Sequence, residues 1–355
     1  MFGLAAVAAW WNPSGSAERE LALREFMDLW PGMIPLYVCP PARPGLNYAP
    51  IWQKERILNQ AIAALPDEVT KIIWCDADVL VRAPRPFTWA ANVADALDQY
   101  PVVQPWEFAK LQGPDGNLGG EGPLGRPVVE SVAHWNQTSL AMPCGLPADC
   151  WPGFAWAARR DVLREIGGLY EADLSGPNDV LMSLAFYGDF QNPFLLRYGD
   201  RFRRHFMQWG ERAHKIVDGQ VGFVPATLTH LWHGPFNGRR YLERTVRLYQ
   251  AGYDPAQHLV TAPDGSLALS ADCPWEIRRL VAAVVGVKLP GDTEMEKFAE
   301  GVRQTVAAGG YEFRDISGAT PTISPDSFAH EVQRQQAELT ASLGCCGRPA
   351  NLTIG

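Results

Sequence analysis

The sequence has no pair of cysteines in C-x-x-C spacing, and its seven cysteines leave one over in any scheme of disulfides. A disulfide-stapled extracellular scaffold is therefore excluded. We interpret the thiols as reduced, in a cytoplasmic protein. The cysteines are Cys39, Cys75, Cys144, Cys150, Cys273, Cys345 and Cys346.

Positive charge is also scarce, with 31 Lys and Arg against 39 Asp and Glu and a formal net charge of -8. This balance argues against a broad electrostatic footprint on nucleic acid. No stretch reaches membrane length, so we expect no integral membrane association. The apolar segment 1–11 is short and lacks a basic region, which favours a first strand over a signal peptide.

What the chain does have is a 47% hydrophobic composition and, over residues 4–104, alternating strand and helix patterns. Such alternation predicts an α/β fold with a mostly parallel central sheet flanked by helices. We expect this domain to cover residues 1–255. The signals weaken beyond it, and residues 256–355 are interpreted as a mainly helical accessory extension.

The most informative stretch is KIIWCDADVLVRAP, at 71–84. Its apolar run predicts a buried strand, with Asp76 and Asp78 at the carboxyl edge where open α/β sheets bind ligands. Paired carboxylates there suit Mg²⁺ or Mn²⁺ carrying a diphosphate, because the metal offsets the phosphate charge. Two solvated acids at a strand end are the structural alternative.

Other polar residues precede this strand. Asn12 lies in the loop after strand one, which commonly touches a nucleotide in doubly wound folds. Lys54, Arg56 and Asn59 lie on the polar face of an amphipathic helix and are candidate contacts to a donor phosphate. A plain turn and a solvated helix face are the alternatives. The glycine-rich segment 108–150 is predicted to be a flexible flap.

Two later segments carry further candidates. Gly153 permits close approach of the backbone to a ligand, and Asn178 and Asp179 are predicted at a helix N-terminus, where capping alone also explains them. The segment THLWHG places His230 and His233 after a strand. In an extended segment these histidines would point to opposite faces, so we expect only one to reach a metal. Arg239 and Arg240 follow as cations for phosphate.

Together, KIIWCDADVLV, WPGFAWAARRDVLREIGGLYEADLSGPNDVLMSLAFYG and THLWHGPFNGRRYLERTVRL resemble the ordered blocks of GT-A fold glycosyltransferases. The likeness is to the family 2 and galactosyltransferase-like group, including its bacterial and phage members, and covers about residues 4–255. It implies a metal-dependent enzyme that moves a sugar from a nucleotide-diphosphate sugar, such as a UDP-sugar, to an acceptor hydroxyl. The acceptor is a glycan, a protein, a small molecule or hydroxylated bases of phage DNA.

The resemblance also assigns roles. Asp76 and Asp78 match the D-x-D motif that holds the ribose and the metal, with His233, or His230 in its place, completing the metal site. Gly153 matches a glycine under the sugars, with Trp151 and Asn178 beside it on the acceptor side. Asp179 matches the base of inverting members, and its helix N-terminus is expected to keep its pKa low. Relatives often carry two acids where this chain has Asn178 and Asp179.

Two other functions compete. A sugar nucleotidyltransferase would need a glycine-rich cationic loop directly after strand one, whereas residues 12–16 have one glycine and no cation. A non-catalytic carbohydrate-binding scaffold would tolerate loss of Asp78, Asp179 or His233, yet competent residues occupy all three positions.

Overall fold

The computed structural model describes residues 3–10, 12, 15–39, 51–82, 86–119, 126–234 and 241–285. The chain divides into two compact units, Met1–Val287 and Lys288–Gly355. All of the second unit lies outside the described residues, and so does most of the extension expected at 256–355. Within the described ranges, no helix is long and apolar enough to cross a membrane.

The first unit alternates strands and helices as the sequence predicts. The strands are β1 (Leu4–Ala9), β2 (Leu36–Cys39), β3 (Lys71–Asp76), β4 (Val79–Arg82), β5 (Val102–Gln104), β6 (Phe108–Leu111), β7 (Val128–Ser131), β8 (Cys150–Trp151), β9 (Ala155–Arg159), β10 (Val221–Phe223), β11 (Thr227–His230), β12 (Leu259–Thr261) and β13 (Leu267–Leu269). The helices are α1 (Ala17–Leu29), α2 (Lys54–Ala64), α3 (Pro86–Gln99), α4 (Val132–Thr138), α5 (Arg160–Ile166), α6 (Asn178–Tyr187), α7 (Asp200–Val217), α8 (Tyr241–Gln250), α9 (Pro255–His258) and α10 (Trp275–Val284).

The central sheet has six strands in the order β10-β5-β9-β3-β1-β2. All neighbours in it are parallel except β9, which runs antiparallel to both β3 and β5. This confirms the predicted α/β fold with a mostly parallel central sheet flanked by helices.

Strand β3 shows why the sheet lies in the middle of the unit. Ile72 and Trp74 belong to one buried core cluster, whereas Ile73 and Cys75 belong to the other. Successive side chains of a strand point to opposite faces, so a strand covered on both faces reads as a continuous apolar run. Helices α2, α5, α6 and α7 cover one face, and α1 and α3 cover the other.

A second sheet of five strands, in the order β4-β11-β6-β7-β8, lies beyond the carboxyl end of β3. Strands β6 and β7, helix α4 and the first residue of β8 fall within residues 108–150, the segment for which a flexible flap is predicted. Val129, Val132 and Trp135 are buried there, and this apolar anchoring holds the segment in place. Residues 120–125 lie outside the described residues.

The first unit extends past the domain boundary expected at residue 255, as far as Val287. Helix α10 and strand β13 belong to the first unit, and Leu267, Ile277 and Val281 are part of its core. The tail signal is weak because these elements are short. Their burial comes from contacts with segments far away in the chain.

Candidate active site

The candidate site forms where β3 leaves the central sheet. Asp76 is the last residue of β3, and the two-residue turn Ala77-Asp78 leads directly into β4 of the second sheet. Strand β4 runs antiparallel to β11, with Val79 opposite His230. The backbone N–H of Leu231 donates to the carbonyl of Asp78 at 2.8 Å, which fixes the turn against the end of β11.

Asp78, His230 and His233 form a cluster with metal-binding geometry. One ligand atom from each lies within 4.8 Å of the others. The Asp78 carboxylate is 3.0 Å from Nε2 of His233 and 3.8 Å from Nε2 of His230. Asp76 is not a member of this cluster, although the sequence predicted it as a ligand.

Both histidines face Asp78, so the expectation that only one would reach the metal position is not met. The strand alternation behind that expectation ends too soon: β11 stops at His230, and residues 231–234 leave the extended conformation. The chain bends there, and the His230 and His233 rings lie 5.2 Å apart between centroids. The donor set of one carboxylate and two imidazoles fits a divalent transition-metal ion, Mn²⁺ included, better than Mg²⁺, which prefers oxygen ligands throughout.

A chain of charged groups lies next to the cluster. Nζ of Lys54, in the first turn of α2, is 2.6 Å from Oδ1 of Asp76 and 3.5 Å from Oδ2 of Asp179. The exposed fractions of the three side chains are 14% for Lys54, 28% for Asp76 and 20% for Asp179. One ammonium group thus joins the end of β3 to the start of α6, and Lys54 is paired with carboxylates where the sequence predicted a contact to phosphate.

The electrostatics of Asp179 differ from the sequence-based expectation. Burial raises the pKa of Asp179 to about 6; Lys54 opposes this rise, whereas Asp76 adds to it. A helix N-terminus favours the carboxylate form, but here desolvation outweighs it. For Lys54, burial disfavours the charge, yet Asp179 and Asp76 hold its pKa well above the ordinary value. Asp179 therefore titrates close to neutrality, which suits a general base.

Next to Lys54 and Asp179, a buried polar network holds the start of α6. The amide nitrogen of Asn178 donates to Oε2 of Glu55 at 2.8 Å and to the carbonyl of Asp173 at 2.9 Å. Asn178, which was predicted on the acceptor side, is 0% exposed, and its two donated hydrogen bonds hold the start of α6 in place. Burial raises the pKa of Glu55 well above its ordinary value, against the influence of Lys54.

The sequence analysis missed Glu55 and Asp173. The Asp173 carboxylate is fully buried and accepts hydrogen bonds from Ser175, Tyr198 and Tyr249. Residues 55 and 178 are 123 positions apart, and no local pattern links such distant residues. In the sequence, Glu55 reads as an ordinary acidic residue of a first helical turn, where it would interact with the helix dipole.

Gly153 and Trp151, both predicted to bind the acceptor, lie beside Asp179. A methyl group on Gly153 would come within 2.7 Å of Nε1 of Trp151 and 3.5 Å of Oδ2 of Asp179. The next residue, Phe154, packs its ring 5.1 Å from the ring of His230. The Gly153-Phe154 pair therefore connects the Asp179 side of the site to the histidine cluster.

The structure also places the other residues predicted as donor contacts. Asn12 holds Ser16, the N-cap residue of α1: its side chain accepts from the N–H of Ser16 and donates to the Ser16 carbonyl, both at 2.9 Å. Arg56 and Asn59 are about 200° and 140° around α2 from Lys54, and both bind Glu171. In this structure both side chains therefore lie on a different side of the helix from Lys54. Arg239 and Arg240 lie outside the described residues.

Comparison with solved structures finds similar chains. The catalytic domain of Drosophila β1,4-galactosyltransferase 7, in complex with xylobiose, is 11% identical over 76% of this chain and 94% of its own, with a TM-score of 0.32. A Pyrobaculum calidifontis mannosyltransferase, in complex with GDP-Man and Mn²⁺, is 12% identical over 97% and 85%, with a TM-score of 0.35. Mycobacterium tuberculosis glucosyl-3-phosphoglycerate synthase, with phosphoglyceric acid, is 14% identical over 75% and 86%, with a TM-score of 0.34.

These similar structures are glycosyltransferases. No family model matches the chain, and no curated protein does.

Proposed function

We propose that this protein is a metal-dependent glycosyltransferase of the GT-A type that transfers a sugar from a nucleotide-diphosphate sugar, a UDP-sugar in the first instance, to an acceptor hydroxyl. One observation carries the proposal. A three-ligand metal cluster and a carboxylate that titrates near neutrality meet at the carboxyl edge of one sheet, joined by Lys54 and by the Gly153-Phe154 pair.

The donor side of the proposed site is the D-x-D turn. Asp78, His230 and His233 would hold a divalent ion, with Mn²⁺ favoured by the two imidazoles. When bound, such an ion neutralises the negative charge that develops on a departing diphosphate. Asp76 lies outside the cluster and would contact the ribose of the donor. Its carboxylate can accept a hydrogen bond from a ribose hydroxyl.

The acceptor side is formed by Asp179, Gly153 and Trp151. Asp179 would accept the proton of the acceptor hydroxyl as the new glycosidic bond forms, which is general-base catalysis with inversion at the anomeric carbon. The absence of a side chain at Gly153 leaves room next to the Asp179 carboxylate, and the Trp151 indole borders this space. Lys54 would keep Asp179 largely ionised at neutral pH by lowering its pKa.

A thermal-shift and turnover experiment tests the proposal. Wild type and Asp78→Asn are screened with UDP- and GDP-sugars in the presence of Mn²⁺, Mg²⁺, Zn²⁺ or no metal, followed by an assay for release of the free nucleotide. A rise in melting temperature that needs the donor, Mn²⁺ and Asp78 is expected, because a ligand that binds only the folded state stabilises it.

The same screen separates the competing functions. Binding of a sugar nucleotide without any release of nucleotide would favour a carbohydrate-binding scaffold. Pyrophosphate release from a nucleoside triphosphate and a sugar phosphate would favour a nucleotidyltransferase. The absence of any metal-dependent shift across the donor panel would refute the proposed donor site.

A further inference from the structure

A cavity of about 650 Å³ lies between α2, α5 and α7, on the opposite side of α2 from Lys54. We call it the basic groove, because four arginines and a histidine line it together with a single carboxylate. Those residues are Arg56, Arg160, Arg164, Arg212, His205 and Glu171. Its volume lies within the range of about 300–1,000 Å³ found for small-molecule sites.

The charge of the basic groove is opposite to that of the whole chain, which carries a formal -8. The single carboxylate, that of Glu171, forms an ion pair with Arg56, with 2.9 Å between Oε1 and Nη1. Within the described parts of the chain, neither Arg160, Arg164 nor Arg212 has a carboxylate within ion-pair distance. Three guanidinium groups therefore face one cavity without a counter-ion from these residues, an arrangement that favours an anionic ligand.

The arginines differ in how far the fold already uses them. Arg160 donates to carbonyls at the end of α2, including Leu65 at 2.8 Å and Pro66 at 2.6 Å, and so serves mainly as a helix cap. Arg212 uses Nε for the carbonyl of Ile166 at 2.8 Å. This hydrogen bond uses only Nε of Arg212. The two terminal nitrogens of Arg212 and the exposed guanidinium of Arg164 are therefore the donors that can bind a ligand.

The backbone is shaped to hold Arg212 in place. Gly167 has a φ of +87°, and a methyl group there would lie 2.8 Å from a terminal nitrogen of Arg212. A side chain at this position would therefore displace the guanidinium as well as strain the backbone. The adjacent wall is held by Asn59, which donates to the carbonyl of Leu169 and accepts from its N–H at 2.9 and 2.8 Å. Fixed donors lose little entropy when a ligand binds.

The basic groove is separate from the proposed catalytic site. Its lining follows α2 to Ala63, nine residues beyond Lys54, a rise of about 14 Å along the helix axis. Arg160 follows the end of β9, and its N–H bonds to the carbonyl of Thr70, just before β3 begins. The groove therefore lies toward the amino edge of the sheet, whereas Asp78 and Asp179 lie at the carboxyl edge.

We propose that the basic groove is a second binding site, which takes a phosphate-bearing ligand without a metal ion through Arg164 and Arg212. Guanidinium groups pair with phosphate oxygens in a bidentate geometry, and two of them on facing helices suit a phosphate monoester or a pyrophosphate. The ligand comes either from solution or from the headgroup of a lipid.

Calorimetric titration with inorganic pyrophosphate, in the presence of a chelator, tests this site. Arg164→Glu is compared with Arg24→Glu, which makes the same charge change at an exposed position on α1, on the other face of the sheet. We expect Arg164→Glu to weaken binding about tenfold or more, because it removes a guanidinium donor and places a carboxylate next to the anion. Arg24→Glu and Asp78→Asn should bind as wild type does.

A vesicle-binding experiment identifies the source of the phosphate. Sedimentation with phosphatidylcholine vesicles containing phosphatidic acid, lost in Arg164→Glu but kept in Arg24→Glu, would also support the groove and identify a lipid phosphate as the source. Absence of binding to both probes by the wild type would overturn the proposal. Equal loss in the two arginine variants would do so too, because it would indicate a non-specific charge effect. Loss in Asp78→Asn would assign the pyrophosphate to the donor site instead.

Discussion

Replacing Lys54 by methionine removes the cation between Asp76 and Asp179 and keeps most of the side-chain length. Two unit charges 3.5 Å apart, the distance between Lys54 and Asp179, attract each other by about 5 kcal/mol at an effective dielectric constant near 20 and by about 1 kcal/mol in bulk water. Asp179 is 20% exposed, so solvent screening places the true value toward the lower end.

Loss of the attraction between Lys54 and Asp179 should change the pH dependence of kcat. Because Lys54 lowers the pKa of Asp179, the Lys54→Met variant should hold the Asp179 proton up to higher pH. In the wild type, kcat for nucleotide release should rise with pH through a midpoint near 6, as Asp179 loses its proton. At about 1.4 kcal/mol per pH unit, the midpoint in the variant should move toward alkaline pH by at least about one unit.

Two controls make the result decisive. Lys54→Arg keeps the charge and should leave the midpoint close to that of the wild type. Lys71→Met removes a lysine of similar exposure, 13%, paired with Asp98 at 2.6 Å at the opposite end of β3, and should not move the midpoint. An unchanged midpoint in an active Lys54→Met enzyme would refute Asp179 as the base or Lys54 as its charge partner.

Two further predictions concern the metal cluster and the network behind it. His230→Ala and His233→Ala should each weaken Mn²⁺ binding about tenfold or more, measured by calorimetry, because both imidazoles face Asp78; if only His233→Ala had an effect, His230 would not be a ligand. Asn178→Ala leaves Glu55 buried without its amide donor and should lower the free energy of unfolding by about 1–3 kcal/mol in urea titrations. An Asn178→Ala protein as stable as wild type would show that this buried polar network does not stabilise the fold.

The parts of the fold that depend on local pattern could be predicted from sequence. The apolar run before Asp76 identifies β3 because both faces of that strand are buried, and Ser16 caps α1 by accepting from the N–H of Arg19. Helix α7 was missed, although its apolar residues Phe202, Phe206, Trp209 and Ala213 repeat at helical spacing. Its many charged residues obscured that stripe.

The site was less predictable than the fold, since its geometry depends on contacts between distant segments. The sequence identified Asp78, His233 and Asp179, each next to the end of an element. It did not reveal that Lys54 bridges two of the carboxylates, or that Glu55 holds Asn178 away from solvent. The orientation of Arg56 and Asn59 depended on the phase of α2 relative to the sheet, which is set by the packing of Ile57, Leu58 and Ile62.

The two-residue turn between β3 and β4 has a mechanical consequence. Asp78 stands where the chain passes from the central sheet to the second sheet, and both histidines come from the far side of that passage, at the end of β11. An ion held by these three side chains would therefore connect the turn after β3 to the end of β11, beside the contact between the Phe154 and His230 rings. By linkage, a change that destabilises this arrangement of the turn and the end of β11 weakens metal binding, and a bound ion stabilises the arrangement in return.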